Sequence, residues 1–548
     1  MGRLSTDRIW TITAVLIAAF VSIPLVAVLW ALPSDGGGTT DHLWRTTLPG
    51  YAANTAQLML FVGAMTAFLG VGLAWLVTVA SFPGRVLFSW LLVLPLAAPA
   101  YIIAYLYTDL LTFSGPVQTW LRGTFDWQAG DYWFPAIRSV PGAALMLSLV
   151  LYPYVYLLAR AAFSAQSRGQ FQAARTLGLS PGQAFLRVAL PGARPAIVAG
   201  LALVLMETLA DFGVADYFAI PTFSTGIFRT WLAMGDRVAA MKLAGVMLLI
   251  VFALVTVEAL SRRGEVASGD RLSAAPPPLA LSGIGSALAM LACLLPVMLG
   301  FIVPAAVLVH YAVVDGDGQS WTVIGGYAKN SVVAAVLASL VATGLAVLLT
   351  YAGRKAQQGP SPRKAGPLVV RSGIRLATLG YALPGALLAV GLLSPLGGVD
   401  QSLTRFSRDT FGFSHGLLLT GTIALLVYAL VVRFLTVSYN SVSAGMEKVS
   451  PSMDAAARSL GASPWQLMTR VHIPLLRPSL AAGVCLVFID VMRELPATLI
   501  LRPFNFETLA TRVYRLASDE RLSEASTAAL IIVIAGLIPV LLLNRFRR

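Results

Sequence analysis

The chain has 548 residues, of which 57% are hydrophobic and only 12% charged, with a net charge of +14. A soluble domain carries about 25% charged residues, and a single soluble core stops growing at about 250–300 residues, so a water-soluble globule is excluded. In so apolar a chain the positive charge belongs to loops facing anionic lipid rather than to nucleic acid, and the two cysteines, Cys293 and Cys485, form no disulfide framework and no metal spacing.

The first apolar run, Trp10 to Leu32, follows Arg3 and Arg8. It is long for a signal peptide and lacks a small-x-small cleavage site, so it is read as an uncleaved first span. Crossing a bilayer takes about 20 apolar residues as a helix. Further spans are predicted near 54–81, 86–107, 141–164, 196–219 and 241–261, then near 284–313, 330–352, 374–395, 415–437, 479–500 and 526–544. This is an all-α integral membrane protein of about twelve transmembrane helices. The segment from Thr108 to Val140 is the longest on the outer side; Trp120, Trp127, Tyr132 and Trp133 suit it either to lie at the membrane interface or to meet a partner.

Placing the N-terminus in the cytoplasm puts most of the 39 Lys and Arg on the inner side, which also brings the C-terminus inside. The contrast is sharpest from Gly353 to Arg375, which carries Arg354, Lys355, Arg363, Lys364, Arg371 and Arg375 and no acid. Ser261 to Gly283, with Gly264, Gly269 and Pro276-Pro277-Pro278, reads as a cytoplasmic linker. The chain is therefore divided into a first half (1–262), a linker (263–283) and a second half (284–548).

An internal repeat decides the architecture. Residues 171–200 align without gaps on 454–483, with about half of the positions identical. The matches include Ala173/Ala456, Ala174/Ala457, Arg175/Arg458, Leu177/Leu460, Gly178/Gly461, Ser180/Ser463, Pro181/Pro464, Pro191/Pro474 and Gly200/Gly483. The same offset pairs Asp211 with Glu494. Near the start of each half, Gly50-Tyr51-Ala52 and Asn54 match Gly326-Tyr327-Ala328 and Asn330. Six spans per half return the chain to the same side, so the halves are parallel repeats with a substrate path expected between them.

The repeated segment is cytoplasmic and joins the fourth and fifth spans of each half. Ala favours helix, Gly stops it and Pro restarts it at a new angle. The predicted product is a short helix held between turns, present twice, as a chain built to dock two copies of a partner would need. A pair of ordinary loop helices inherited by duplication is the plainer reading.

These residues carry a resemblance. Gln172-Ala173-Ala174-Arg175-Thr176-Leu177-Gly178 and Ala455-Ala456-Ala457-Arg458-Ser459-Leu460-Gly461 resemble the signature loop of ABC importer permeases, whose coupling helix sits in a cleft of an ATPase subunit. Gln172 and Ala455 stand where that motif has Glu. The resemblance implies a type I permease fold and a coupling role for Ala173, Ala174, Arg175, Gly178, Pro181, Ala456, Ala457, Arg458, Gly461 and Pro464. It also implies two copies of a cytoplasmic ATPase, a periplasmic substrate-binding protein, and location in the bacterial inner membrane. No Gly-Lys-Ser or Gly-Lys-Thr of a phosphate loop occurs, so ATP is used by the partner and the chain is expected to be neither an enzyme nor a cofactor binder.

Two stretches, Met206-Glu207-Thr208-Leu209-Ala210-Asp211-Phe212-Gly213 and Asp490-Val491-Met492-Arg493-Glu494-Leu495-Pro496, resemble the fused twelve-span ferric iron permeases. Thiamine and polyamine permeases share parts of the pattern. Glu207, Asp211, Asp490, Arg493 and Glu494 lie inside spans, where a charge costs several kcal/mol unless paired or wet. They are the candidate substrate path for a cation; local pairing of Asp490 with Arg493 is the alternative. The four histidines show no ligand spacing. A secondary transporter of the major facilitator type would share twelve spans in parallel halves but would not need the repeated loop.

Overall fold

A computed structural model describes residues 2–34, 42–128, 130–165, 176–262, 279–316, 320–357, 365–413 and 416–545. Among them the first half contributes α1 (Gly2–Ala31), α2 (Leu43–Val79), α3 (Arg85–Ala97), α4 (Ala100–Phe125), α5 (Val140–Ala165), α6 (Gly182–Ala210), α7 (Gly213–Tyr217), α8 (Phe223–Leu232) and α9 (Arg237–Arg262). The second contributes α10 (Gly283–Val314), α11 (Trp321–Gln357), α12 (Ala365–Ala377), α13 (Gly385–Phe411), α14 (Ile423–Met446), α15 (Pro451–Ser459), α16 (Pro464–Leu475), α17 (Arg477–Met492), α18 (Pro496–Leu501), α19 (Leu509–Ser518) and α20 (Leu522–Arg545). The described strands are Ala80–Ser81 and Leu279–Ala280, paired in parallel.

Nine described helices are long and apolar enough to cross a membrane, or eleven if each bent pair counts as one span; Leu522–Ile538 is a shorter apolar helix. Exposed Leu16, Phe68 and Ile284 show the apolar surface that such spans turn to lipid.

Four predicted spans differ from the observed helices, and proline or a charge marks each place. Span 86–107 is two helices, α3 and α4, at 88° to one another. Span 374–395 is broken between α12 and α13. Ala98 and Leu383 are extended, as the residue before a proline prefers, and Pro99 and Pro384 then start the next helix. Span 196–219 stops at Ala210, before Asp211. Span 479–500 stops at Met492, before Arg493 and Glu494.

The chain packs as two compact units that do not follow its halves. One comprises Met1–Thr40, Ile227–Gly245 and Ser320–Arg512; the other comprises Asp41–Gly226, Val246–Gln319 and Val513–Arg548. In the first unit α1 lies against α11, α12 and α13. A Cβ at Gly391 would stand 2.7 Å from the Pro24 carbonyl oxygen, so glycine permits this crossing. Phe20 and Tyr428 pack at 4.1 Å between ring centroids. Behind them α11, α14 and α17 meet through Ala335, Ala338, Ala342 and Ala346, all buried, and through a Thr343–Ser438 hydroxyl bond of 2.7 Å. Small residues on one face let membrane helices approach closely, where dispersion and interhelical hydrogen bonds hold them.

In the second unit α2, α5 and α6 form the equivalent bundle, and a Cβ at Gly200 would lie 2.9 Å from the Val155 Cα. Helix α10 packs here: the Tyr107 hydroxyl donates to the Leu299 carbonyl at 2.7 Å, and Gly300 sits where a side chain would meet Leu149 and Pro95. The repeat describes the duplicated chain, whereas the units describe how it packs.

Candidate coupling elbows and intramembrane charges

The second copy of the repeated elbow is fully described. Pro451 begins α15, which carries Ala456, Ala457 and Arg458 and ends at Ser459. Gly461 then takes φ +84°, a left-handed turn costing a residue with a Cβ about 1–2 kcal/mol. Ser463 opens α16 with Pro464 in its first turn. The Gln466 amide donates to the Ser463 hydroxyl at 3.2 Å, and the Ser463 amide donates to Gln466 Oε1 at 2.8 Å, a reciprocal capping box.

The first copy repeats what can be compared. Gly178 has φ +83°, the Ser180 amide donates to Gln183 Oε1 at 3.0 Å, and the Gln183 amide donates to the Ser180 hydroxyl at 3.3 Å. Ala173, Ala174 and Arg175 lie outside the described residues, and of Pro181 only the backbone is described. Each elbow then passes through a widened helical turn, Phe185–Ala189 or Leu467–His472, into Pro191 or Pro474. The sequence reading had the Gly and the Pro but missed the capping boxes, though Ser-Pro-x-Gln stands in both copies.

Leu177 and Leu460, the residues before the two glycines, are 83% and 89% exposed. Gly461→Val is expected to cost about 1–2 kcal/mol through strain alone. Thermal unfolding would show a small shift, while copurification of the ATPase subunit would fall because the Leu460 tip is re-aimed.

The two elbows are anchored differently. Asp454, in the first turn of α15, is buried; it accepts from Arg354 Nε at 2.7 Å and pairs with His472 Nε2 at 2.8 Å. Arg354, near the end of α11, also donates to the Met446, Val449 and Ser450 carbonyls, and the Tyr351 hydroxyl donates to the Pro464 carbonyl at 2.9 Å. This latch ties α11 to both arms of the elbow. The aligned positions of the other repeat are Phe171, Thr78, Ala189 and Trp75. There Trp75 packs on Phe163 and Phe185 at 5.4 and 4.8 Å, so apolar stacking takes the place of ion pairs.

Of the predicted path residues, Asp211, Arg493 and Glu494 fall at two helix breaks, while Glu207 and Asp490 lie in the last turns of α6 and α17. Glu494 follows α17 and caps α18: the Ala497 and Thr498 amides donate to it at 2.9 Å each, and the Thr498 hydroxyl at 2.7 Å. Arg433 on α14 pairs with Glu494 at 3.4 Å; both are buried. Gly385 closes the site, since a Cβ there would stand 2.6 Å from Arg433 and 2.7 Å from Glu494. Arg433 was overlooked in the sequence, although a lone Arg inside an apolar run was signal enough. Asp490 and Arg493 form the local i, i+3 pair that was the alternative reading.

Asp211 follows α6 and caps α7, accepting from the Val214 and Ala215 amides at 3.1 Å each. Glu207 stands one turn earlier on α6. Where the other repeat has Arg433, this one has Val150, so the same cap is built without the cation. Among the described residues no three His, Cys, Asp or Glu side chains come together to hold a metal.

The family model of the binding-protein-dependent transport system inner membrane component matches residues 66–263 and 364–548, one stretch in each repeat. The chain belongs to this family. It is thus the inner-membrane permease of a binding-protein-dependent ABC importer, a transport subunit that works with an ATPase and a periplasmic binding protein, and this replaces the facilitator alternative. The permease is 24% identical to the Fe(3+)-transport system permease protein FbpB 2 of Haemophilus influenzae over 98% of both chains. It is 30% identical to the sulfate transport system permease protein CysT of Escherichia coli over 31% of this chain and 58% of that one. The sulfate transport system permease protein CysW of the same organism is likewise 30% identical, over 30% of this chain and 53% of that one.

Proposed function

We propose that this permease passes ferric iron, delivered by a periplasmic binding protein, into the cytoplasm. Each of its elbows seats on one of two ATPase copies, and both termini face the cytoplasm. The observation that carries the docking is the pair of exposed leucines on matching left-handed turns. The ferric reading rests on similarity to an Fe(3+) permease along nearly the whole chain, together with acids at both intramembrane breaks. On this reading Glu207, Asp211, Asp490, Arg493 and Glu494 line or shape the path. Residues 1–262 and 284–548 are the two duplicated permease halves, joined by the 263–283 linker, and the chain itself holds no cofactor.

The test compares ferric iron with thiamine in vesicles holding the permease, its ATPase and its binding protein. ATP-driven uptake of iron and not thiamine is expected; the reverse overturns the substrate. In Asp211→Asn with Glu494→Gln the Asn caps about as well as Asp, whereas the Gln keeps one of two carboxylate acceptors and leaves Arg433 without its counter-charge, so a thermal melt beside the uptake assay separates charge from structure. The double variant is expected to keep its ATPase and lose at least about tenfold in uptake, the size of effect that 1.4 kcal/mol or more of lost stabilisation produces. Uptake at the normal rate would remove these acids from the path. Leu177→Asp with Leu460→Asp is expected to abolish copurification of the ATPase.

A further inference from the structure

Gly50-Tyr51-Ala52 with Asn54, and its copy Gly326-Tyr327-Ala328 with Asn330, belong neither to the elbows nor to the helix breaks, yet both copies make the same contacts. Asn54 on α2 donates from Nδ2 to the Pro221 carbonyl at 3.1 Å, and the hydroxyl of the next residue, Thr55, accepts from the Phe223 amide at 3.3 Å. On α11 Asn330 donates to the Glu507 carbonyl at 2.9 Å, and the Ser331 hydroxyl accepts from the Leu509 amide at 2.8 Å. The gripped segments are alike as well. Thr222 and Thr225, at the start of α8, cap one another through amide-to-hydroxyl bonds of 2.9 and 3.4 Å. Thr508 and Thr511, at the start of α19, do so at 3.0 and 3.3 Å, and all four are buried. Tyr51 covers Gly226, where a Cβ would stand 2.5 Å from its ring; in the other repeat the Arg512 guanidinium lies over the Tyr327 ring at 5.4 Å.

Just before each gripped segment comes the short helix capped by a path acid, α7 by Asp211 and α18 by Glu494. The far end of each gripping helix meets an elbow: Trp75 of α2 packs on Phe185, and Arg354 of α11 holds Asp454. From clasp to elbow is about 32 Å along α2 and about 36 Å along α11, at the axial rise of an α-helix. No proline interrupts either stretch. The elbow anchors differ between the repeats, ion pairs in one and aromatic rings in the other, whereas the clasp is kept in both. A stiff helix fixed at both ends moves the two attachments together. We propose, on the docking and path readings given above, that Asn54 with Thr55, and Asn330 with Ser331, are positioning residues through which α2 and α11 carry elbow movement to α7 and α18.

The full-length permease in vesicles with its ATPase and binding protein tests this through the substrate taken up per ATP hydrolysed. The substrate is whichever of ferric iron or thiamine the wild type takes up, so failure of the ferric reading is seen separately. Asn330→Leu with Ser331→Ala removes both polar groups at similar volume and is expected to lower the ratio at least about threefold, the size of effect that changes along a coupling route produce. Thr55→Ser and Ser331→Thr, each the residue of the other repeat, are expected to retain it. Combining Asn330→Leu with Asp454→Ala should lower the ratio no further than the worse single change, because both break the same rod, although their effects on melting add as for distant sites. Asn54→Leu with Asp454→Ala breaks both rods and should lower it further. Should the paired changes fail to assemble, Ser331→Ala alone is read and is expected to lower the ratio. An unchanged ratio without the clasp, or losses that multiply in Asn330→Leu with Asp454→Ala, leaves the clasp a structural stitch and overturns the proposal. An ATPase that still copurifies with Leu177→Asp, Leu460→Asp overturns the docking reading and the rods with it.

Discussion

Replacing Asp454 with alanine is expected to destabilise the permease by about 3–5 kcal/mol, the cost of stripping one partner from a buried ion pair. The Asp454 and Arg354 side chains are 1% and 11% exposed, and that of His472 is 1% exposed. Without the carboxylate, Arg354 keeps its carbonyl partners but loses its counter-charge, and α15 loses an acid from its positive N-terminal end. The larger consequence is mechanical. Arg354 is the point at which α11 grips the elbow, so the variant should still bind ATPase through Leu460 yet transmit its movement poorly. Thermal melting reads the first effect, and binding-protein-stimulated ATP hydrolysis against uptake reads the second. Both should survive Trp75→Phe better, because that change keeps an aromatic ring against Phe163 and Phe185 and leaves no buried charge unpaired.

Glu494→Ala is expected to be the most damaging single change inside the membrane. It removes the Arg433 counter-ion, at about 3–5 kcal/mol, and the α18 cap, at about 1 kcal/mol more. Arg433→Met should be milder, since Glu494 retains two amides and the Thr498 hydroxyl. Combining Arg433→Met with Glu494→Gln leaves no buried charge. The pair should therefore be less destabilised than the sum of its parts, with a coupling of about 0.5–3 kcal/mol by thermal melts of all four proteins. Strict additivity would mean that the 3.4 Å pair carries no energy.

The sequence made some of this legible and hid the rest for physical reasons. Apolar runs locate spans because lipid imposes one rule on every residue, and the repeat located both elbows because turn geometry needs Gly and Pro at fixed places. A proline in an apolar run does not say whether the helix bends or breaks: Pro153 and Pro195 are carried inside α5 and α6, whereas Pro99 and Pro384 begin new helices. Asp211 and Glu494 were read as charges only, although an acid just before a new helix is also a cap. Arg354 lies 100 residues before Asp454 and shares no pattern with Asp454 and His472, so only the fold joins it to them. Hydropathy likewise says nothing about which bundle a helix joins, which is why the place of α1 was not foreseen.

That place of α1 bears on biogenesis. The ribosome delivers α1 to the translocon well before the surfaces that receive it, at Tyr351, Gly391 and Tyr428, are made. Likewise α20 closes on Ala97 of α3, made long before it, where Gly536 leaves no room for a side chain. Neither half can then mature by itself in the bilayer. Nascent helices must wait, tolerated by lipid, until their later partners have been made. A gene severed in the linker should yield a working transporter only when both fragments are synthesised into the same membrane.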